Sequence, residues 1–427
     1  MSQYTIEDFG GVGDGTTDNT ETFTSAIEAI RTQGGGELVL QGGVYRTGSI
    51  ALCDNLTLTV QSGSRISFIP DSSLYPPVIS RWEGVSREMH RACIYGTGLD
   101  HVTLRGTGLI DGSGQTWWKR FSTDNLEYPR PFLLSLENCS NISIQDLTFV
   151  NSPSWTLHPL ESNNVLITNV TVHNPSDSPN TDGLDPESCS NVRVLGCTFD
   201  VGDDCIAIKS GTEQTTRKSA CRGIIISGCN MLHGHGGVVL GSEMSGDIRN
   251  VVITGCVFDQ TDRGIRMKTR RGRGGVISDI VASDIVMADT LCPVVINSYY
   301  HYGPAGKEPC VWDKSSRPVD SGTPQYRHIL IHDIRATKVR STAAFIYGLP
   351  EMPIKDLTMH DMDISMDEDS QPAEPAMIAN APKLSQSGIF MENTNHCSIR
   401  RVTLEGLKTP FFVREEANEG LVLDSTV

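Results

Sequence analysis

Asn141-Ile142-Ser143-Ile144-Gln145-Asp146-Leu147 opens a pattern that keeps returning along the chain. It comes back at Asn164-Val165, Asn191-Val192, Gly223-Ile224, Asn250-Val251 and Asp279-Ile280, at intervals of 23, 27, 32, 27 and 29 residues. Each copy starts on a turn residue and runs into an alternating apolar strand. Five residues after each strand start stand Leu147, Val170, Cys197, Cys229, Cys256 and Ile285. Alternation with a period of two marks strands. A repeat this short, without a helix, cannot bury its own apolar side and must stack on its neighbours. The expected fold is therefore all-β, a parallel β-helix or similar solenoid. After Ile280 the strand starts are expected at Ile329 and Ile354, beyond an insertion rich in Tyr, Pro and Trp.

Upstream of the repeat one helix is expected. Asp18 and Thr20 offer N-caps, Phe23, Ala26, Ile27 and Ile30 make one apolar stripe, and Gly34-Gly35-Gly36 stops it. Leu38–Leu40, Leu56–Val60 and Val102–Leu104 read as strands. Residues 71–95 and 113–131 read as irregular loops carrying Trp82, Trp117 and Trp118. No linker composition interrupts the 427 residues, which predicts one domain. Residues 1–50 would form a short capping helix and first coil, and 51–427 the remaining coils, with loop insertions near 71–95, 113–131 and 299–325.

Composition excludes several function classes. A net charge of −16 argues against nucleic acid as a partner. No run of 18 apolar residues is present, which argues against a membrane span. Met1–Phe9 has no basic or apolar leader character, so a cytoplasmic location is expected, or a secreted one if a leader was removed ahead of Met1. Cysteine replaces aliphatics at a stacked inward position, so the 12 cysteines are expected as buried thiols rather than disulfides. Oligomeric state is not specified by any of these features.

Between the apolar runs stand four polar punctuations: Asn180-Thr181-Asp182-Gly183, Gly202-Asp203-Asp204, Gly234-His235-Gly236 and Arg266-Met267-Lys268. Aligned on the following strands, Leu184, Ile206, Val238 and Ile265 take one inward place, and Pro186, Ile208, Leu240 and Met267 the next. Two steps back lie Asp182, Asp204, Gly236 and Arg263; three steps back lie Thr181, Asp203, His235 and Asp262. Coils are about 4.7–4.9 Å apart. Asp182 is then expected one coil from Asp204, and His235 one coil from Asp203. Asp185, Glu187, Lys209, Arg266 and Lys268 should point outward, and Gly202 should allow a bend that brings both following acids to the surface. Crowded carboxylates repel, which raises the pKa of at least one. A protonated acid beside an ionised carboxylate is what glycoside hydrolysis needs, and Arg266 with Lys268 could clamp a substrate carboxylate. His233 and His235 find no third ligand in register, so neither metal nor cofactor is expected.

In order and spacing, these four motifs resemble glycoside hydrolase family 28, the polygalacturonases. Phe9–Gly15 and Gly108–Gly112 also look like the family's N-terminal coils. The resemblance implies a right-handed β-helix that hydrolyses α-1,4-galacturonosyl bonds with inversion. The implied substrate is a galacturonate-containing oligo- or polysaccharide. By the same resemblance Asp203 would be the general acid, Asp182 and Asp204 would activate water, and His235 would steer the acid's protonation. Arg266, Lys268, Asn180 and one of Tyr299 and Tyr300 would contact sugar. Arg81-Trp82-Glu83-Gly84 and the long loops look like bacterial exo-acting members. Endo action, and a rhamnogalacturonan or other pectin hydrolase, are the alternatives. A Ca²⁺-dependent pectate lyase and a non-enzymatic sugar-binding β-helix stand further off.

Overall fold

The computed structural model describes residues 2–409, 412–413 and 418–426. The fold is an all-β right-handed parallel β-helix with a short N-terminal capping helix. Its contacts cluster into two compact units, Met1–Asp203 and Asp204–Val427.

In the first unit the repeat intervals are strand pairings. Val102 pairs with Ile142, Ile142 with Val165, and Val165 with Val192, all parallel. Asn141, Asn164 and Asn191 start these strands at φ of 55°, 55° and 57°. Asparagine suits that left-handed turn because its short amide bonds locally; here Asn164 Nδ2 donates to Asn141 Oδ1 at 2.6 Å. Leu147, Val170 and Cys197 are buried as expected. Helix α1, Thr20–Thr32, buries Phe23, Ala26, Ile27 and Ile30. Its N-cap is Asn19 rather than Asp18 or Thr20; the Asn19 amide donates instead to the carbonyls of Val12, Thr17 and Arg46.

The two upstream loops are more regular than expected. Pro77–Trp82 and Val85–His90 form an antiparallel hairpin. Its two-residue turn is Glu83-Gly84, at φ of 50° and 75°, a primed turn built without the usual Asn-Gly signal. Gln115–Ser122 forms helix α2. The hairpin is anchored by Trp82, which stacks on Phe132 and Trp155 at 5.5 and 5.4 Å. Arg81 binds Glu161 at 2.6 Å and Glu187 at 3.3 Å.

The second unit repeats the register: Ile224 pairs with Val251, Val251 with Ile280, and Ile280 with Ile329. The next partner of Ile329 is Leu357, not Ile354. Ile354 instead pairs with Thr394. The Ile354–Met366 strand is long, and its first apolar residue is not the repeat's start. A seven-stranded parallel sheet runs in the order Asp204–Ile208, Gly236–Gly241, Arg263–Lys268, Cys292–Asn297, Thr342–Tyr347, Ser387–Glu392 and Phe412–Val413. The insertion expected near 299–325 holds two short helical turns, Pro304–Lys307 and Pro309–Trp312. All 12 cysteines are free thiols, and all but Cys310 are buried. Among the described residues no helix is long and apolar enough to cross a membrane.

Candidate active site

The second unit sets its charged residues by strict register. Ile206 pairs with Val238 and Val238 with Ile265; Ile208 pairs with Leu240 and Leu240 with Met267. All six point into the core. Alternation then places Arg266 and Lys268 on the opposite face. From there both reach back across the one intervening strand, Gly236–Gly241, to Asp204, Arg266 Nη1 to Oδ1 at 3.1 Å and Lys268 Nζ to Oδ2 at 2.8 Å. Gly236, paired with Asp204, leaves the gap they cross. A Cβ there would lie 3.2 Å from Asp204 Oδ1 and 3.4 Å from Arg266 Cδ.

The outward residues are on the expected face but are not exposed. Arg266 is 1% exposed and Lys268 6%. Arg266 Nη2 lies 3.0 Å from Met377 Sδ, and Lys268 Nζ lies 5.0 Å from the centre of the Tyr300 ring. Lys209 is buried too, paired with Glu243 at 3.4 Å. Burial alone would raise the Asp204 carboxyl, but Lys268, Arg266 and Lys209 outweigh it and hold it well below the ordinary carboxylate range. His235 is exposed, and its carbonyl accepts from Arg266 Nη1 at 3.4 Å.

The two tyrosines separate. Tyr300 stands over the Arg266–Lys268 pair, at 5.9 and 5.0 Å. Tyr299 is buried with Cys292, Val295, Phe345 and Tyr347, and Lys314 Nζ sits 3.3 Å from its ring centre. Arg263 takes no part in the ion pairs around Asp204. It straps the 374–375 backbone, donating to Glu374 O at 3.0 Å and Pro375 O at 3.1 Å.

In the first unit Asp182 is buried and Asp203 half-buried. Gly202 does not adopt a left-handed φ. It is needed for room: a Cβ there would meet Ser178 O at 2.4 Å and Pro175 O at 2.7 Å. Asp185 and Glu187, expected outward, are fully buried. Glu187 lies between Arg81 and His158, 3.3 Å from each.

A family model of the glycosyl hydrolases family 28 matches residues 47–384. The chain belongs to glycosyl hydrolase family 28. It is a glycosidase. A probable polygalacturonase of Vitis vinifera is 34% identical over 378 residues, 83% of this chain and 74% of that protein. A polygalacturonase of Persea americana is 26% identical over 430 residues, covering 98% and 82%. Among solved structures, a hyperthermoactive exopolygalacturonase from Thermotoga maritima is 29% identical, with a TM-score of 0.79 over 95% of this chain and 92% of that one. A family 28 exopolygalacturonase of Yersinia enterocolitica, 18% identical with a TM-score of 0.84 over 100% and 79% of the two chains, is a likeness of fold.

One residue of this family 28 glycosidase escaped the sequence reading. Arg130 is 1% exposed and fixes the loop that carries Asp182. Its guanidinium donates to Pro153 O at 2.8 Å, Pro179 O at 2.6 Å and Asn180 Oδ1 at 2.7 Å. Its other face stacks over Phe121 of α2 at 4.1 Å. Burial pulls Arg130 down to about 10, against the opposing charges of Asp182, Glu83 and Asp203. Asn180, at φ 50°, is thus a support for the loop in this structure. Arg130 carries no motif; a lone arginine between Pro129 and Pro131 was its only signal.

Proposed function

We propose that this glycosidase is a polygalacturonase that hydrolyses α-1,4-galacturonosyl bonds of homogalacturonan or oligogalacturonides with inversion, working from a chain end. The observation that carries the division of roles is the double ion pair on Asp204. A carboxyl held ionised by Lys268 and Arg266 suits a base and not a proton donor. The family resemblance gives the acid's part to Asp203, with Asp182 and Asp204 activating the water, and an ionised Asp204 is consistent with that division. His235 takes the part the family resemblance implies, steering the proton on Asp203. Arg266 and Lys268, with the Tyr300 ring beside them, are the cations suited to a galacturonate carboxylate.

Action from an end is supported by what surrounds Arg130. The Glu83 turn of the hairpin and Phe121 of α2 both act on this side chain, beside Asp182. They can wall the unit that carries Asp182 and stop a polymer from threading through. The Thermotoga maritima exopolygalacturonase, at 29% identity, points the same way.

Trigalacturonate and polygalacturonate, followed by NMR for product size and anomeric form, provide the test. Monomer or dimer, first seen as the β-anomer, is expected. Products of random length would overturn the end-acting reading. Unsaturated, ultraviolet-absorbing uronides abolished by EDTA would overturn hydrolysis itself.

A further inference from the structure

The sheet that carries Asp204, Arg266 and Lys268 continues past them. Lys268 pairs with Asn297, Asn297 with Tyr347, and Tyr347 with Glu392, each in parallel register. With neighbours about 4.8 Å apart, Glu392 lies about 14 Å along the sheet from Lys268. A cavity of ≈ 450 Å³ opens at that position. Tyr347, Phe390, Ile378 and Leu384 line it, and Trp312, 47% exposed, stands at its rim. Tyr347 and Phe390 meet edge to face at 5.5 Å.

The chemistry here differs from that at Arg266 and Lys268. Among the described residues, Lys314 and Glu392 are the charged ones lining the cavity, one of each sign. The Lys314 ammonium lies against the rings of Tyr299 and Tyr347, 3.3 and 4.9 Å from their centres. Burial, with Arg271 nearby, lowers it to about 8. Lys314 and Glu392 act on each other, so an ionised uronate entering would lose water to meet one attractive and one repulsive charge with little net gain. A uronate whose carboxyl is a methyl ester escapes both costs, and its methyl and ring C–H groups meet aromatic and aliphatic walls.

We infer that this cavity is a distal substrate subsite for a methyl-esterified galacturonate, three strands beyond the sugar held at Lys268. The inference rests on the polygalacturonase reading and gives it a preference: free carboxylates near the scissile bond, an ester further along. It implies that a partly esterified chain is a better substrate than a fully de-esterified one of equal length.

Three hexagalacturonates test it: one with all carboxyls free, one esterified at its two reducing-end units, and one at its two non-reducing-end units. KM and kcat are measured separately for the wild-type protein and for Trp312→Ala. One of the two esterified hexamers is expected to show a KM about tenfold below the free one, the usual worth of a small apolar group in an apolar pocket. In the variant the ratio should fall to about one, with circular dichroism confirming the fold. Equal KM for all three in the wild type overturns the subsite, and so does a preference that survives Trp312→Ala. Failure to hydrolyse any hexamer, the free one included, overturns the polygalacturonase reading, and the inference falls with it.

Discussion

Replacing Lys268 by methionine keeps all but the terminal atom's length of a nearly buried side chain and removes one of the two charges bound to Asp204. A unit-charge pair at ~4 Å is worth about 4 kcal/mol at an effective dielectric of 20, and the Lys268–Asp204 contact is closer, at 2.8 Å. At 2.8 Å the same law gives about 6 kcal/mol, and at about 1.4 kcal/mol per pKa unit this sets a ceiling near 4 units. Arg266 and Lys209 remain, so the carboxyl is still partly held. The sign follows from the charge removed. Losing a cation raises the Asp204 pKa, so a higher pH is needed to ionise it. The acid limb of the kcat/KM profile should therefore move up by about 1–3 pH units, with part of the lost activity recovered above it. A profile on trigalacturonate from pH 3 to 8 reads this directly. If Lys268 acts only by gripping substrate, KM rises evenly at every pH and the limb stays in place. That result would refute the argument that Lys268 keeps Asp204 ionised.

Other consequences can be measured in the same way. Asp203→Asn should lower kcat by at least ~10²-fold at unchanged melting temperature, since a general acid contributes that much; wild-type turnover in the purified variant would remove Asp203 from that role. Gly236→Ala should cost activity and also about 1–3 kcal/mol of stability in urea titration, because its Cβ would meet Val239 Cγ2 at 2.4 Å and crowd the Asp204–Arg266 pair. Glu243 predicts an acid-stability loss. Burial would raise its carboxyl, but Lys209, Arg273 and Lys268 lower it from 4.5 to about 2. A depressed folded-state pKa gives stability that is present above pH 4.5 and is lost as pH falls toward 2. Urea midpoints between those limits should fall less steeply in Glu243→Gln than in the wild type.

Register was legible because it is a property of the chain's own alternation. Ile206, Val238 and Ile265 are found side by side, as the spacing of apolar residues required. Where two apolar choices competed, at Ile354 and Leu357, apolar spacing alone chose wrongly; the mark of phase is Asp356, whose φ of 52° precedes Leu357 as Asp279 at 59° precedes Ile280. The hairpin was missed for a related reason: Glu83 adopts a left-handed φ that its side chain does not advertise. Burial of the second face was not legible. What covers Arg266 and Lys268 is Tyr300 and Met377, the latter 111 residues further along than Arg266. No local pattern encodes such a contact. Arg130 is hidden in the same way, its partners at Pro153, Pro179 and Asn180 being brought to it by coiling.

The covered face changes the meaning of the basic cluster. On an exposed strand, Arg266 and Lys268 would be screened and free to serve substrate alone. Buried beside Asp204, they are part of a structure that needs both signs. A buried carboxylate with a cation removed costs several kcal/mol, so Arg266→Ala touches the fold as well as the substrate. The fully buried Asp204 is tolerated because two cations are bound to it, and the cations are tolerated because Asp204 is there. Arg263, Arg270, Arg271 and Arg273 spend their charge elsewhere. Arg263 binds backbone, Arg270 and Arg273 bind Glu213, and Arg271 binds Glu351. A chain at −16 can thus offer an anionic sugar a positive field only where its bases outnumber the acid they hold. Of the six bases in the cluster, Arg266 and Lys268 alone are bound to Asp204, which places their side chains, rather than those of the other four, at the acid.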